Sequence, residues 1–341
     1  MEKKDIDKNV FDAMGDNVSK QIYINKVNYY NDANNAMEAI IRLTGGQDIL
    51  NFMDENKDSL CVFGAGMLGQ DLVDTWSWKY KFRAFIDNDK LIHGKKIKKI
   101  PVISLDELNK FQNDPAIIIM SKFYWREIFD QLTVYGIGAN KIFNFGEIYC
   151  KFVKNQYFDL EELKITDHER FVDCGVLDGE TSLNLLELRK GQVEKIWMFE
   201  PDKNNILKVK NSFKDKVVDY EIVEKGVWSC QTKLHFNSRG DGCACIDNNG
   251  EDVIETIKLD DVLMDCNPTF IKMDIEGAEY EALKGAENII RKYHPKLAIS
   301  VYHKPEDIFE LPSLILEYNP GYKIYLRHYS LTSSETILYA I

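Results

Sequence analysis

Residues able to do chemistry cluster in a few short stretches of the chain. Asp173-Cys174-Gly175 is followed by Gly179, and further on come Glu200-Pro201-Asp202, Asp274-Ile275-Glu276-Gly277 and His303-Lys304. Glycines placed like Gly175 and Gly179 let the backbone approach a ligand and turn N–H groups towards it. A carboxylate such as Glu200, at its distance from that turn, can accept both hydroxyls of a ribose. These two features point to an adenosine-containing ligand without saying which one. Asp274 and His303 could take a proton from a hydroxyl, and imidazole has the better ordinary pKa for that at neutrality. That makes His303 the expected base, with Asp274 orienting substrate or cofactor; the reverse assignment stays open. Asp274, Glu276 and His303 could instead hold a divalent ion, Mg²⁺ being the usual match for oxygen donors. Glu276, however, is expected to open a helix, where an acid caps free N–H groups and complements the dipole. No metal is therefore assigned. A second glycine turn, Gly64-Ala65-Gly66-Met67-Leu68-Gly69, stands far upstream, with Asp87 beyond it. That spacing is the arrangement of a dinucleotide site, though by itself it is a weak signal.

These residues need elements to position them. Short apolar runs predict strands at Phe171–Cys174, Lys195–Phe199, Tyr220–Gly226, Phe270–Asp274 and Leu297–Tyr302. Helical patterns follow the first, second, fourth and fifth of these, which implies a parallel α/β sheet. In such a sheet the ligand lies at the carboxyl ends of the strands, where the residues above fall. Tyr322–His328 and Thr336–Ile341 then read as an antiparallel hairpin joined by a polar loop. Upstream, strands at Leu60–Phe63, Phe82–Ile86, Ile117–Met120 and Lys141–Phe145 form a smaller unit of the same class. Residues 1–55 read as a helical arm, from apolar residues such as Ile22, Val27, Ala36 and Ile40 at helical spacing. Packing within the chain is the preferred role for the arm, and a homodimer contact the alternative. The expected domains are thus 1–55, 56–150 and 151–341.

A chain of 341 residues accommodates two domains. Its formal net charge of −12 argues against a nucleic-acid partner and against anionic membrane surfaces. No apolar stretch is long enough for a membrane span, and the N-terminus lacks the apolar core of a secretory signal. The seven cysteines form no CxxC pair and read as free thiols in a reducing cytoplasm.

The closing hairpin separates the cofactors. A nicotinamide-binding sheet typically continues parallel, whereas parallel strands closing with an antiparallel pair look like the S-adenosylmethionine-dependent methyltransferases. Several motifs in order, "FVDCGVLDGETS", "FEPDKNN", "IKMDIEGAEYEALKGAENII", "AISVYHKPED" and "LRHYS…ETILYAI", resemble the FkbM-type methyltransferases over roughly residues 168–341. The resemblance implies a class I methyltransferase fold, S-adenosylmethionine as cofactor, and transfer to hydroxyls of sugars, polyketides and related metabolites. Asp173, Gly175 and Gly179 match the family's cofactor turn, and Glu200 its ribose acid. Asp274, Glu276, Gly277 and Glu279 match the acidic stretch near the methyl donor. Asp178 stands where the family usually has a small polar residue or Asn.

The segment "VFGAGMLGQDL…AFIDNDK…GKKIKKIPVISLDEL" resembles the small Rossmann-like domains at the front of bacterial polysaccharide-modifying enzymes. That resemblance makes Gly64, Gly66, Gly69 and Asp87 candidates for a second nucleotide site, in a recognition or scaffolding role. The leading expectation is an O-methyltransferase acting on a saccharide, glycoconjugate precursor or related metabolite, a nucleotide-linked acceptor being one form of it. The alternatives are a nicotinamide-dependent oxidoreductase working through GAGMLG and a non-enzymatic nucleotide sensor. Missing hydride-transfer residues count against the first, and Asp274 with His303 at strand ends against the second.

Overall fold

The structure, a computed structural model, describes residues 5–29, 33–111, 114–149, 156–238, 244–247 and 249–341. The chain forms two compact units. One comprises residues 28–154 and 328–334, the other 2–27, 155–327 and 335–341. The expected arm is therefore divided: its helices Lys8–Ala13 and Asn17–Tyr29 belong almost wholly to the second unit, and Ala33–Leu43 and Gln47–Glu55 to the first.

The first unit is built on β1 (Leu60–Phe63), β2 (Phe82–Ile86), β3 (Lys96–Ile97), β4 (Ile100–Ile103), β5 (Ala116–Ile119) and β6 (Ile142–Asn144). Their order is β3-β4-β2-β1-β5-β6, parallel throughout except that β3 is antiparallel to β4. Every residue of β1 and β5 is buried, as expected for central strands covered on both faces. The β3–β4 hairpin was not expected. Its turn is Lys98-Lys99, both at positive φ (51° and 67°). Such turns usually announce themselves with Asn-Gly or Asp-Gly, and lysines give no such signal. The polar loop expected after residue 328 contributes buried Leu331, whose carbonyl accepts a hydrogen bond from Trp76 Nε1 at 2.9 Å.

The second unit contains β7 (Arg170–Cys174), β8 (Lys195–Phe199), β9 (Tyr220–Val223), β10 (Gly226–Val227), β11 (Lys233–Asn237), β12 (Cys245–Ile246), β13 (Asp252–Ile257), β14 (Phe270–Met273), β15 (Lys296–Ser300), β16 (Ile324–His328) and β17 (Thr336–Ala340). The main sheet runs β16-β17-β15-β14-β7-β8-β9. From β15 to β9 the neighbours are parallel, and β17 is antiparallel to β15. Lys323 and Ile341 exchange both backbone hydrogen bonds, so the last two strands close the sheet as a hairpin. This is the class I methyltransferase sheet. A separate four-stranded sheet, β10-β13-β11-β12, was not expected from sequence.

The N-terminal helices of this unit cover the edge strand β16. Gly15 N donates to Ile324 O, Arg327 pairs with Asp16 at 2.6 Å, and Ser19 Oγ accepts from Leu326 N. Arg327 is thus spent on holding this helix. Asp260 lies within Leu259–Leu263 and caps Glu287–Tyr293, accepting from the backbone N–H groups of Asn288 and Ile289. Among the described residues no helix is long and apolar enough to cross a membrane. Cys61, Cys174, Cys230, Cys245 and Cys266 are free thiols; Cys150 and Cys243 lie outside the described residues.

Candidate active site

β7 and β14 lie side by side at the centre of the main sheet, and their carboxyl ends carry the two critical turns. After β7 the chain turns at Gly175 (φ 81°). A Cβ there would stand 1.9 Å from the carbonyl oxygen of Asp274, so only glycine lets the two strand ends come this close. Lys272, on β14 and only 2% exposed, holds the turn from beneath. Its Nζ lies 3.1 Å from Asp173 Oδ1 and donates to Gly175 O at 2.7 Å.

Two residues expected at the cofactor are placed elsewhere. Asp173 is fully buried between Lys272 and the hydroxyl of Ser182, which donates to it at 2.7 Å. Its carboxylate stabilises the turn rather than facing the pocket. Gly179 (φ 89°) faces Phe213, whose ring a Cβ would meet at 3.0 Å, so its glycine serves helix packing. Asp178, the departure from the family pattern, caps the next helix through Glu180 N.

Glu200 does reach the pocket. It is nearly buried, and its two oxygens accept from Leu177 N at 3.0 Å and Asp202 N at 2.9 Å. Burial raises its pKa above the ordinary value, against the pull of these two hydrogen bonds. The pocket opens to solvent. Gly175, Leu177, Glu200 and Asn205 line one part, and Val227, Phe236, Ile246 and Ile254 from the small sheet give it an apolar cover. Asp274 and Glu276 stand at its other end. Gly226 lines it as anticipated, whereas Lys225 is paired with Glu255 at 3.1 Å. Among the described residues the lining contains three acids and no Lys or Arg. That set suits a neutral or cationic ligand and disfavours a pyrophosphate.

The acidic end is more elaborate than the sequence suggested. Asp274 accepts from Tyr157 OH at 2.8 Å through Oδ2 and from Tyr302 OH at 3.1 Å through Oδ1. Burial alone would raise its pKa, but Lys272 and His303 outweigh burial and hold the carboxylate ionised below its ordinary value. Glu276 does not begin a helix: it lies in a left-handed turn (φ 54°) ahead of Gly277, and the helix starts at Glu279. The capping reading of Glu276 therefore fails. Its carboxylate is free of the helix and lies 3.5 Å from His303 Nε2. The fully buried Glu279 accepts from Ile275 N and lies 2.9 Å from His303 Nδ1.

His303 accordingly differs from expectation. Burial would lower its pKa, yet the carboxylates of Glu276 and Glu279 raise it to about 11. An imidazole that keeps its proton at neutrality is not available as a base. Tyr157, Lys272 and Tyr302 were not expected here, and Glu279 was expected near the methyl donor but not as the partner of His303. One signal for them existed: a lysine inside the apolar strand Phe270–Met273 must find a carboxylate. Glu335, beyond the hairpin loop, accepts from Gln156 Nε2 at 2.6 Å; burial and Asp274 push its pKa up to about 7.

Comparison with known proteins bears on this site directly. Residues 173–324 match the model of the methyltransferase FkbM domain. The chain carries an FkbM-type methyltransferase domain. Its catalytic class is methyl transfer with S-adenosylmethionine as donor. Residues 56–143 match the model described as C2185-like, N-terminal. A crystal structure of methyltransferase FkbM from Methylobacillus flagellatus KT shares the fold over 95% of this chain and 99% of that one, at 22% identity and a TM-score of 0.54. Aeropyrum pernix fibrillarin with natively bound S-adenosyl-L-methionine is more distant, at 10% identity, 57% and 76% coverage and a TM-score of 0.36. Precorrin-6y C5,15-methyltransferase from Geobacter metallireducens stands at 12% identity, 58% and 88% coverage and a TM-score of 0.34. No curated protein matches the chain.

The upstream glycine turn sits after β1. Gly64 (φ 110°) would place a Cβ 2.6 Å from Met120 O, and Gly69 would place one 2.0 Å from Gly64 O. Those two glycines are demanded by the backbone around them, whereas a Cβ on Gly66 would meet nothing within 4 Å. Asp87 accepts from Ala65 N and Asp89 N, both at 2.9 Å.

Proposed function

We propose that the protein methylates a hydroxyl of a saccharide, glycoconjugate precursor or related metabolite. The observation that carries this reading is the pocket running from Glu200 to Asp274, whose described lining holds three acids and no Lys or Arg. Glu200 would receive the ribose hydroxyls, and the apolar residues Val227, Phe236 and Ile254 the adenine. S-adenosylmethionine, when bound, supplies an electrophilic methyl carbon on a sulfonium. Asp274 and Glu276 offer the negative charge that complements the donor's cationic end.

Asp274 is the better candidate than His303 for the hydroxyl proton. Tyr157 and Tyr302 fix its orientation. An oxygen gaining a methyl group becomes strongly acidic, so a carboxylate that stays ionised suffices to take its proton. His303, clamped by Glu279, positions the hydroxyl beside it. Positioning of this kind supplies much of the rate in a displacement reaction.

The resemblance of the segment containing GAGMLG, AFIDNDK and GKKIKKIPVISLDEL to the front domains of polysaccharide-modifying enzymes supports a saccharide acceptor. The glycine turn after β1, with Asp87 at the tip of the next strand, makes a nucleotide-linked sugar the acceptor class to try first. Buried free thiols at Cys61 and Cys174 suit a reducing cytoplasm.

The test is release of S-adenosylhomocysteine on mixing protein and methyl donor with a panel of saccharides and nucleotide sugars. A saccharide that turns over supports the reading; turnover confined to amines or carbon acids contradicts it. With such an acceptor, Asp274→Asn should lower kcat by about 10²–10⁴-fold. A His303→Asn loss exceeding that of Asp274→Asn would reverse the two roles.

A further inference from the structure

His303 has one ring nitrogen engaged and the other not. Nδ1 lies 2.9 Å from Glu279, whereas Nε2 is buried without a hydrogen-bond partner. The side chain is 8% exposed, and Nε2 lies 3.5 Å from Asp274 Oδ1 and 3.5 Å from Glu276 Oε1. We propose that Asp274, Glu276 and His303 bind a divalent first-row cation of the Mn²⁺ kind, which holds the acceptor's hydroxyl oxygen at an open coordination position. This rests on the reading of the adjoining pocket as the methyl-donor site.

Four observations support it. First, the donors are close. Nε2 is 3.5 Å from each carboxylate oxygen, near the roughly 3.0–3.4 Å that a cation about 2.1 Å from each donor sets between neighbours. All three donor atoms lie within 4.8 Å of one another, so the two carboxylates need only close on the ion. Second, the buried Glu279 on Nδ1 fixes the ring with Nε2 facing the two carboxylates. A carboxylate behind a histidine is the usual support of a metal-ligating imidazole, and the cation takes the place of the proton that Glu276 and Glu279 otherwise hold on the ring. Third, Glu276 sits at φ 54° next to Gly277 at φ 88°. A glutamate held in that conformation costs on the order of 1 kcal/mol or more, and here the turn keeps its carboxylate at the pocket. Fourth, Asp274 and Glu276 are 24% and 31% exposed and line the pocket, so a cation and an acceptor can both reach them.

The donor set decides the kind of ion. One imidazole and two carboxylates suit a first-row metal such as Mn²⁺ better than Mg²⁺, which favours all-oxygen ligation. Three protein ligands also leave positions open for a substrate oxygen.

The experiment is titration of the full chain with Mn²⁺, followed by the electron paramagnetic resonance signal of the free ion. S-adenosylhomocysteine affinity is measured on the same samples without metal. Wild type, Glu276→Gln and His303→Asn are compared. Expected are one equivalent of Mn²⁺ taken up by wild type and at least tenfold weaker uptake by both variants. All three should melt cooperatively within a few degrees of one another, which shows them folded, and wild type should bind S-adenosylhomocysteine. No uptake by wild type, or uptake that neither variant weakens, overturns the cation site and leaves the methyl-donor pocket standing. Failure of wild type to bind S-adenosylhomocysteine overturns the pocket and the cation proposal with it.

Discussion

The glycine turns after β1 and β7 end in the same pair of hydrogen bonds, and their surroundings differ. In each, an acid at the tip of the neighbouring strand accepts from a turn N–H and from the N–H two residues beyond itself: Asp87 from Ala65 and Asp89, Glu200 from Leu177 and Asp202. The acid-to-turn contact is therefore part of how this kind of sheet closes, and it does not by itself mark a ligand. Around Glu200 the structure adds the apolar cover from β10–β13 and the cluster of Asp274, Glu276, Glu279 and His303. Around Asp87, which is half-exposed, the following Asn88 and Asp89 are open to solvent. The comparison teaches that a reaction centre is recognised by what is built onto the turn.

The strongest way to probe the comparison is through the glycines. Gly175→Ala sets a Cβ against a backbone carbonyl in a left-handed conformation. It should destabilise the protein by about 3 kcal/mol or more in urea unfolding. Gly66→Ala meets open space and should cost no more than about 0.5 kcal/mol. A stable Gly66→Ala that loses affinity for a nucleotide sugar would give the upstream turn a ligand and narrow the contrast.

The apolar cover comes next. Phe236→Ala should weaken S-adenosylhomocysteine binding by about 10–30-fold, or roughly 2 kcal/mol of lost apolar contact. Unchanged affinity would remove the small sheet from the site and make the two turns more alike.

The smallest expected effect is electrostatic. Burial raises the pKa of Glu200 above its ordinary 4.5. Its contribution to stability is then fully present below pH 4.5 and is lost as pH rises through the folded-state value. Wild type should lose stability relative to Glu200→Gln as pH rises from about 4.5 towards neutrality, by less than the Gly175→Ala effect. Thermal melts across that range would show it, and a difference independent of pH would mean that Glu200 is effectively solvated.

Legibility in the sequence followed burial. The strands β1, β5, β7, β8 and β14 are runs of apolar residues, and the spacing of Gly175, Glu200, Asp274 and His303 along them placed the pocket. The strands β11 and β13 alternate exposed and buried residues too irregularly, with only Phe236, Ile254 and Thr256 buried, to stand out. The helix expected as Ala278–Arg291 breaks at Gly285, where a Cβ would stand 2.1 Å from Trp228 O. The reassignment of His303 was beyond sequence reasoning for a physical reason. An imidazole's charge is set by its neighbours, and Glu279 becomes one only once β14 and β15 are paired.

The central claim is that the turn after β7, with Glu200, is the methyl-donor site. Calorimetric titration with S-adenosylhomocysteine, beside NAD⁺, on wild type, Glu200→Ala and Asp87→Ala tests it most directly. The account predicts that S-adenosylhomocysteine binds wild type and Asp87→Ala alike, and that Glu200→Ala weakens it by at least about 100-fold. Binding of NAD⁺ alone, abolished by Asp87→Ala, would contradict it and move the working site to the turn after β1.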